Sequence, residues 1–362
     1  MSPRGIRLGP LPPVQVSGGT LVTIGLLAVI VHPAIAATAG STAAGALALS
    51  VGIAMFLILS VLLHEIAHAV AARGFGARVH HIALNLWGGH TQYSGGRTGA
   101  IPSIVISLVG PGTNALIGVL CAFGAGFAEP GGAAAIFLGY GSTLNYALAV
   151  FNLLPGLPMD GGRALEGMLG AVLRDRRTGT VVTAWIGRAI AVAVVVLAFL
   201  LVWRSGYPGV LILVLVWAMI IAGTLWHGAT TALRAAATEK RLETLDLRRV
   251  AHPVVLLPAD GTVGDIPPGV EPPHILAVDA DGRAARLDAD ALAHVASRSL
   301  VPLSAVTGPP LRIGSVTADR PARETIEALI DQDAQVLLLR DAAGQVLGTI
   351  TVGDVESALR HR

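Results

Sequence analysis

Long apolar runs alternate with short polar loops over the first two-thirds of the chain, and then the texture changes. Runs long enough to cross a bilayer, about 20 residues each, fall at roughly 19–37, 45–72, 101–128, 133–155, 181–203 and 208–227. Between the second and third runs the period shortens. Ile82, Leu84 and Leu86 alternate with Ala83, Asn85 and Trp87, the two-residue repeat of a strand, and Gly88 and Gly89 then permit a turn. After Leu233, "RAAATEKRLETLDLRRV" is charged and helical, and beyond it short β-rich pieces sit between Gly, Pro and Asp turns. The pattern predicts a polytopic α-helical membrane domain over 1–230, with about six transmembrane helices and a small embedded β-sheet. A linker over 231–248 and a soluble α/β domain over 249–362 follow.

Composition agrees. The 362 residues are 53% hydrophobic and only 13% charged, against about a quarter charged in ordinary soluble domains. The formal net charge of +2 carries no nucleic-acid footprint. Cys121 is the only cysteine, so no internal disulfide can form, and its apolar surroundings fit a small core residue.

Charge placement sets an expected orientation. Arg4 and Arg7 precede the first run; Arg73, Arg78 and Arg97 follow the second; Arg163, Arg174, Arg176, Arg177 and Arg188 follow the fourth; Arg234, Lys240 and Arg241 follow the sixth. The alternate loops are nearly free of basic residues, Arg204 excepted. The positive-inside rule then places both termini and the soluble domain in the cytoplasm of a bacterial-type inner membrane. The first run ends in an A-x-A-like stretch, "AIAA", which also suits a cleaved signal. Its long leader, and the odd number of spans that cleavage would leave, favour retention.

Within the second run stands "VLLHEIAHAV", residues 61–70. Ionisable groups at membrane depth are costly and mark functional sites. H-E-x-x-H on a helix puts His64 and His68 on one face, where both imidazoles reach one ion. Glu65, rotated by about 100° from His64, can stand beside such an ion without ligating it and act as general base. A catalytic zinc needs a third protein ligand and an open position. "FNLLPGLPMDGGR", residues 151–163, offers Asp160. Pro155 and Pro158 should break the helix there, and Gly161 and Gly162 should let the backbone turn.

These two motifs resemble those of the site-2 proteases, the intramembrane zinc metalloproteases. The family's N-x-x-P-x-x-P-x-D-G is matched by Asn152, Pro155, Pro158, Asp160 and Gly161 in turn. The resemblance implies that His64, His68 and Asp160 hold one Zn2+ per chain, that Glu65 is the base, and that Asn152 helps hold substrate or the oxyanion. "GPGTN", residues 110–114, is similar to the family's G-P-x-x-N, although close packing by small residues with Asn114 as an interhelical hydrogen bond explains it equally. A glutamate common before that motif is missing here. The family also carries a membrane-embedded sheet to which a substrate segment adds as a strand, which matches the pattern at 82–89. His80, His81 and His90 lack ligand spacing with the main motif and read as solvated or capping residues.

"QVLLLRDAAGQVLGTITVGDVESAL", residues 335–359, resembles the second half of a CBS module, and 250–300 a degenerate first copy. Gly348, Thr351 and Asp354 fit the module's nucleotide motif; the first copy offers Gly282 and Asp288, with Ala285 at the hydroxyl position. The resemblance implies ATP or AMP at Thr351 and Asp354, and a homodimer through the pair; Thr351 and Asp354 equally suit a helix cap. The expected function is hydrolysis of a peptide bond in or near a transmembrane segment of a membrane-protein substrate, that is, regulated intramembrane proteolysis, with adenine-nucleotide control at the CBS pair. The rival readings are an inactive homologue acting as a membrane adaptor and a CBS-regulated channel or transporter.

Overall fold

A computed structural model describes residues 12–38, 42–85, 88–97, 99–205, 208–280 and 283–360. Arg4, Arg7, Leu86, Trp87 and Gly282 lie outside the described residues. The chain divides into two compact units, Met1–Ala236 and Ala237–Arg362.

The first unit is helical. Strand β1 (Val14–Val16) leads into α1 (Gly18–Ala36) and α2 (Ala43–Gly74). A hairpin, β2 (Arg78–Asn85) and β3 (Gly88–Ser94), follows, then α3 (Ala100–Ala125), α4 (Ala133–Asn152), α5 (Asp160–Val172), α6 (Arg176–Ser205) and α7 (Pro208–Glu243). Six of these helices, all but α5, are long and apolar enough to cross a membrane. The protein is a multi-pass membrane protein. Arg188, expected in a loop, instead lies inside α6, about 18 Å along it from Arg176 at 1.5 Å per residue. Its guanidinium is held between the Trp185 and Trp226 rings, 4.9 and 4.8 Å from their centroids, and donates to Thr230 Oγ1 at 3.1 Å.

The expected hairpin is present. Ile82 and Leu84 face inward, 0% and 5% exposed; Gly88 and Gly89, expected to permit the turn, instead belong to β3, opposite Asn85 and Leu84, and Gly88 takes a φ of +125°, where a side chain would strain the backbone. The third strand was not legible: β1 pairs parallel to β2, Val14 opposite Ile82, giving the order β1-β2-β3. Three residues carry too little pattern to show a period. With β2 paired on both sides, β1 and β3 are the outer strands of the sheet among the described residues.

Residues 231–248 are not a free connector. Helix α7 continues to Glu243, and Leu245 and Leu247 enter the core of the second unit, Leu247 through the short α8 (Leu247–Val250). That unit is a tandem. β4 (Val255–Pro258), β5 (Ile275–Val278) and β6 (Ala284–Arg286) form one sheet, followed by α9 (Ala289–Ala293). β7 (Ile313–Thr317), α10 (Ala322–Asp331), β8 (Val336–Arg340) and β9 (Val346–Ile350) form the second, closed by α11 (Val352–Arg360). Each sheet has a parallel pair and then an antiparallel pair. The first copy has only 3-10 turns where α10 stands in the second, which is its degeneracy in structural form. The copies interlock: Leu276 and Ala284 pack on Leu338, and His252, just before β4, exchanges backbone hydrogen bonds with Thr349 of β9. A Cβ on Gly348 would strike the His252 carbonyl at 2.5 Å, which accounts for that glycine.

At the start of α11, Asp354 Oδ2 accepts from the Thr351 backbone N–H (2.8 Å) and hydroxyl (2.7 Å), and Oδ1 meets His252 Nε2 at 3.0 Å. Burial works against ionisation, but the bonds from Thr351 and His252 outweigh it, and the Asp354 carboxyl is held below its ordinary range. A lowered folded pKa stabilises above the unfolded value and is lost as pH falls through the folded one. Asp354→Ala should therefore cost about 1 kcal/mol near neutral pH, with a difference that shrinks on acidification, read as the shift in urea midpoint of the second unit's transition.

Candidate metal centre

Two elements converge on one point in the first unit. α2 presents His64, Glu65 and His68, all buried at 6–7% exposure. α5 presents Asp160 at its first position, where a carboxylate is favoured by the helix dipole. His64 Nε2 stands 3.1 Å from Asp160 Oδ2, His68 Nε2 stands 3.3 Å from the same oxygen, and the two Nε2 atoms are 3.0 Å apart.

The protonation of those rings follows from their other nitrogens. His68 Nδ1 lies 2.5 Å from the backbone oxygen of Ile106. A carbonyl can only accept, so Nδ1 carries the hydrogen, and in the neutral ring that a metal ligand must be, Nε2 is bare. His64 is fixed by a longer chain. Asn145 Nδ2 donates to the Gly141 carbonyl (2.8 Å), which turns its Oδ1 toward Asn114. Asn114 Nδ2 donates to that oxygen at 3.0 Å and so offers its own Oδ1 to His64 Nδ1, 2.6 Å away. Both asparagines are fully buried. Two bare imidazole nitrogens and a carboxylate oxygen thus point at one another. Lone pairs at such range repel unless a positive centre lies between them. A proton bridges only two atoms, whereas a metal ion satisfies all three. Ligand atoms 2.0–2.2 Å from a tetrahedral zinc lie about 3.3–3.6 Å apart, within a few tenths of an ångström of the spacing here. The residues fit the ion, and His64, His68 and Asp160 form a group able to hold one.

Small residues make room for the arrangement. A Cβ on Gly110 of α3 would overlap both Nε2 atoms, and one on Gly89 would meet Glu65 Cγ at 2.5 Å. Thr91 of β3 donates to Glu65 Oε2 at 2.7 Å. The sequence led us to expect the helix break at Pro155 and Pro158, and α4 does end at Asn152. Gly161 and Gly162 act otherwise than expected. They are helical residues of α5, and a Cβ on either would collide with the backbone of Leu153–Leu157, so their role is close approach rather than turning. The same loop is seated from the other side: Gly156 lies against Gly187 of α6, and Pro158 against Gly228 of α7.

The centre opens into a cavity of about 150 Å3, also lined by Asn152, Pro158, Thr91, Ser107 and Arg163. Asn152 Nδ2 donates back to Leu148 O at 3.0 Å. His80 bonds Ser94 at 2.7 Å, and His81 packs edge-on to His90, 6.0 Å between centroids; neither pair joins the His64–His68–Asp160 group. Thr351 and Asp354 belong to the second unit, bonded to each other. Sequence reading missed Asn145, Thr91 and Arg163. The amide of Asn145, in the middle of an apolar run, was the available signal for the first; Thr91 and Arg163 sit in polar stretches and give none.

Two family models match, Peptidase M50B-like over residues 21–156 and Peptidase family M50 over 130–200. Rip3 of Mycobacterium tuberculosis, which bears the name of a zinc metalloprotease, is 39% identical over 157 residues, covering 42% of this chain and 38% of its own length. The aligned part is thus well under half of that relative. The site-2 protease from Methanocaldococcus jannaschii superposes with a TM-score of 0.43 at 22% identity, covering 64% of this chain and 95% of that one. The CBS domain of a bacterial CNNM/CorC family Mg2+ transporter superposes with a TM-score of 0.26 at 18% identity, covering 40% of this chain and 93% of that one. The resemblance to the site-2 proteases, carried in the sequence by two short motifs, thus extends over residues 21–200.

If the amide chain sets the His64 tautomer, Asn114→Leu should weaken zinc retention by roughly 10- to 100-fold, and Asn145→Leu should act in the same direction by less. Zinc content after dialysis against graded chelator measures both.

Proposed function

We propose that the protein is an intramembrane zinc metalloprotease that cuts a peptide bond in or near a transmembrane segment of another membrane protein. The convergence of His64, His68 and Asp160 beside Glu65, in a cavity among spanning helices, carries the reading. A zinc ion in that group would polarise the scissile carbonyl and make water acidic enough to ionise near neutral pH. The chain's own residues supply the rest. Glu65 takes the proton of the attacking water and returns it to the leaving amine. Thr91 holds one Glu65 oxygen and leaves the other free for that transfer. Asn152 has one amide hydrogen and its oxygen left over for substrate backbone.

A helical substrate shields its peptide bonds, so the segment must unwind first. Strand addition to the free edge of β3 would restore the lost backbone bonds. β3 also carries Gly89 and Thr91, the residues against Glu65, so a segment added there runs past the base.

The loop charges support an orientation with both termini and the second unit cytoplasmic. An adenine nucleotide at the second unit would have to displace His252 from Asp354 and open the Thr351–Asp354 pair, since these bonds occupy both carboxylate oxygens. The tandem would then act on the protease through its own rearrangement.

Glu65→Gln keeps the volume and removes the base. It should bind one zinc per chain as the wild type does and lose about 10²- to 10⁴-fold in turnover. Metal analysis of the purified protein, with a comparison of membrane proteomes for a protein that accumulates uncut, tests this. A wild type that holds no zinc, or a Glu65→Gln variant that cleaves as fast, would end the reading.

A further inference from the structure

Arg163 is the one permanently charged cation among the residues lining the cavity. It stands one turn beyond Asp160 on α5, on the same side of the helix. Its backbone is engaged, the N–H donating to Met159 O at 3.0 Å and the carbonyl accepting from the Ser103 hydroxyl at 3.5 Å. Its guanidinium has no carboxylate partner among the described residues. The two nearest acids along the helix are committed elsewhere: Asp160 to the two imidazoles, and Glu166 to the Thr180 hydroxyl at 2.5 Å.

A charge count gives this meaning. A divalent ion in the His64–His68–Asp160 group is balanced by the Asp160 and Glu65 carboxylates, the two acids of the cavity. The exposed Arg163 then adds a positive charge that neither acid lining the cavity is left to offset. A guanidinium offers paired N–H donors matched to a carboxylate, a geometry that lysine cannot reproduce.

We propose that Arg163 is a specificity-determining residue that selects substrates carrying an acidic side chain beside the scissile bond, an inference that rests on the protease reading. Binding of the carboxylate would anchor the unwound segment next to Glu65 and neutralise the cavity. Selection by a single charge-assisted pair at a partly wet site is expected to be about tenfold.

The test uses purified full-length enzyme in phosphatidylcholine vesicles. The probes are synthetic single-span segments of Ala, Leu and Val, each carrying one Asp, Asn or Lys at successive positions around the cut. In the wild type, Asp should exceed Asn in kcat/KM about tenfold at one or two neighbouring positions. That ratio should fall to near one in Arg163→Gln, and in Arg163→Glu the Lys probes should be preferred, with zinc content equal in all three. The inference is overturned if the Asp-to-Asn ratio is the same in wild type and Arg163→Gln at every position. It is also overturned if the effect of Arg163→Gln appears only after phosphatidylglycerol is added, which would assign the guanidinium to a lipid headgroup. Glu65-dependent cleavage of the neutral probes that persists without any acidic preference sinks this inference and leaves the protease reading standing. Absence of any Glu65-dependent cleavage overturns both.

Discussion

The structure of the first unit depends on two backbone carbonyls that can only accept hydrogen bonds. Ile106 O fixes the hydrogen of His68 on Nδ1 directly, and Gly141 O does the same for His64 through Asn145 and Asn114. Because each amide has a distinguishable donor and acceptor end, the direction set at Gly141 passes unchanged to the imidazole. The consequence is a pair of bare nitrogens facing a carboxylate, an arrangement that repels itself and attracts a cation. Four helices take part: α2 and α5 bring the ligand atoms, and α3 and α4 set their protonation. No one of them holds a site alone. Buried amides in an apolar medium are tolerable only when fully bonded, and here each bond also serves the centre.

The same logic explains the glycines. A membrane interior gives helices little hydrophobic reason to approach, so close contact relies on small residues. Gly110 clears space for the imidazoles; Gly161 and Gly162 let α5 press on the Leu153–Leu157 loop; Gly187 and Gly228 let that loop press on α6 and α7. The Asp160 carboxylate is thereby clamped from both sides, although it belongs to a segment that follows a broken helix. Rigidity at that point matters, because a ligand held by loop backbone alone would wander by more than the tolerance of a metal–oxygen bond.

Much of this was legible in the sequence because it is written in local pattern. Apolar length marks a spanning helix, and the six expected runs correspond to the six spans. The H-E-x-x-H spacing and the aspartate beyond two prolines are local too, and the structure brings His64, His68 and Asp160 together. What stayed hidden depends on partners distant in sequence. β1 is three residues long and is a strand only because β2 lies beside it. Asn145 gains its role from Asn114, 31 positions away. Gly161 looked like a hinge because a glycine's freedom and a glycine's smallness leave the same letter. The linker at 231–248 was read from charge, yet a charged helix with Leu245 and Leu247 at its end can serve as the rim of a core as well as a tether.

The hidden part is also what the proposed hydrolytic role would need beyond a metal site. The two motifs specify an ion and a base, and nothing in them says how a substrate backbone reaches both. That depends on the edge of β3, whose Gly89 and Thr91 lie against Glu65. An edge strand is ordinarily a liability because its unpaired N–H and C=O groups recruit other chains. On the proposed reading recruitment would be the requirement, since an unwound segment at membrane depth must find backbone partners or lose several kcal/mol for each polar group left bare. β1 saturates the far side of β2, and of the two outer strands it is β3 whose residues lie against Glu65. Strand addition at β3, as proposed, would bring a second chain to the place beside which Glu65 already stands.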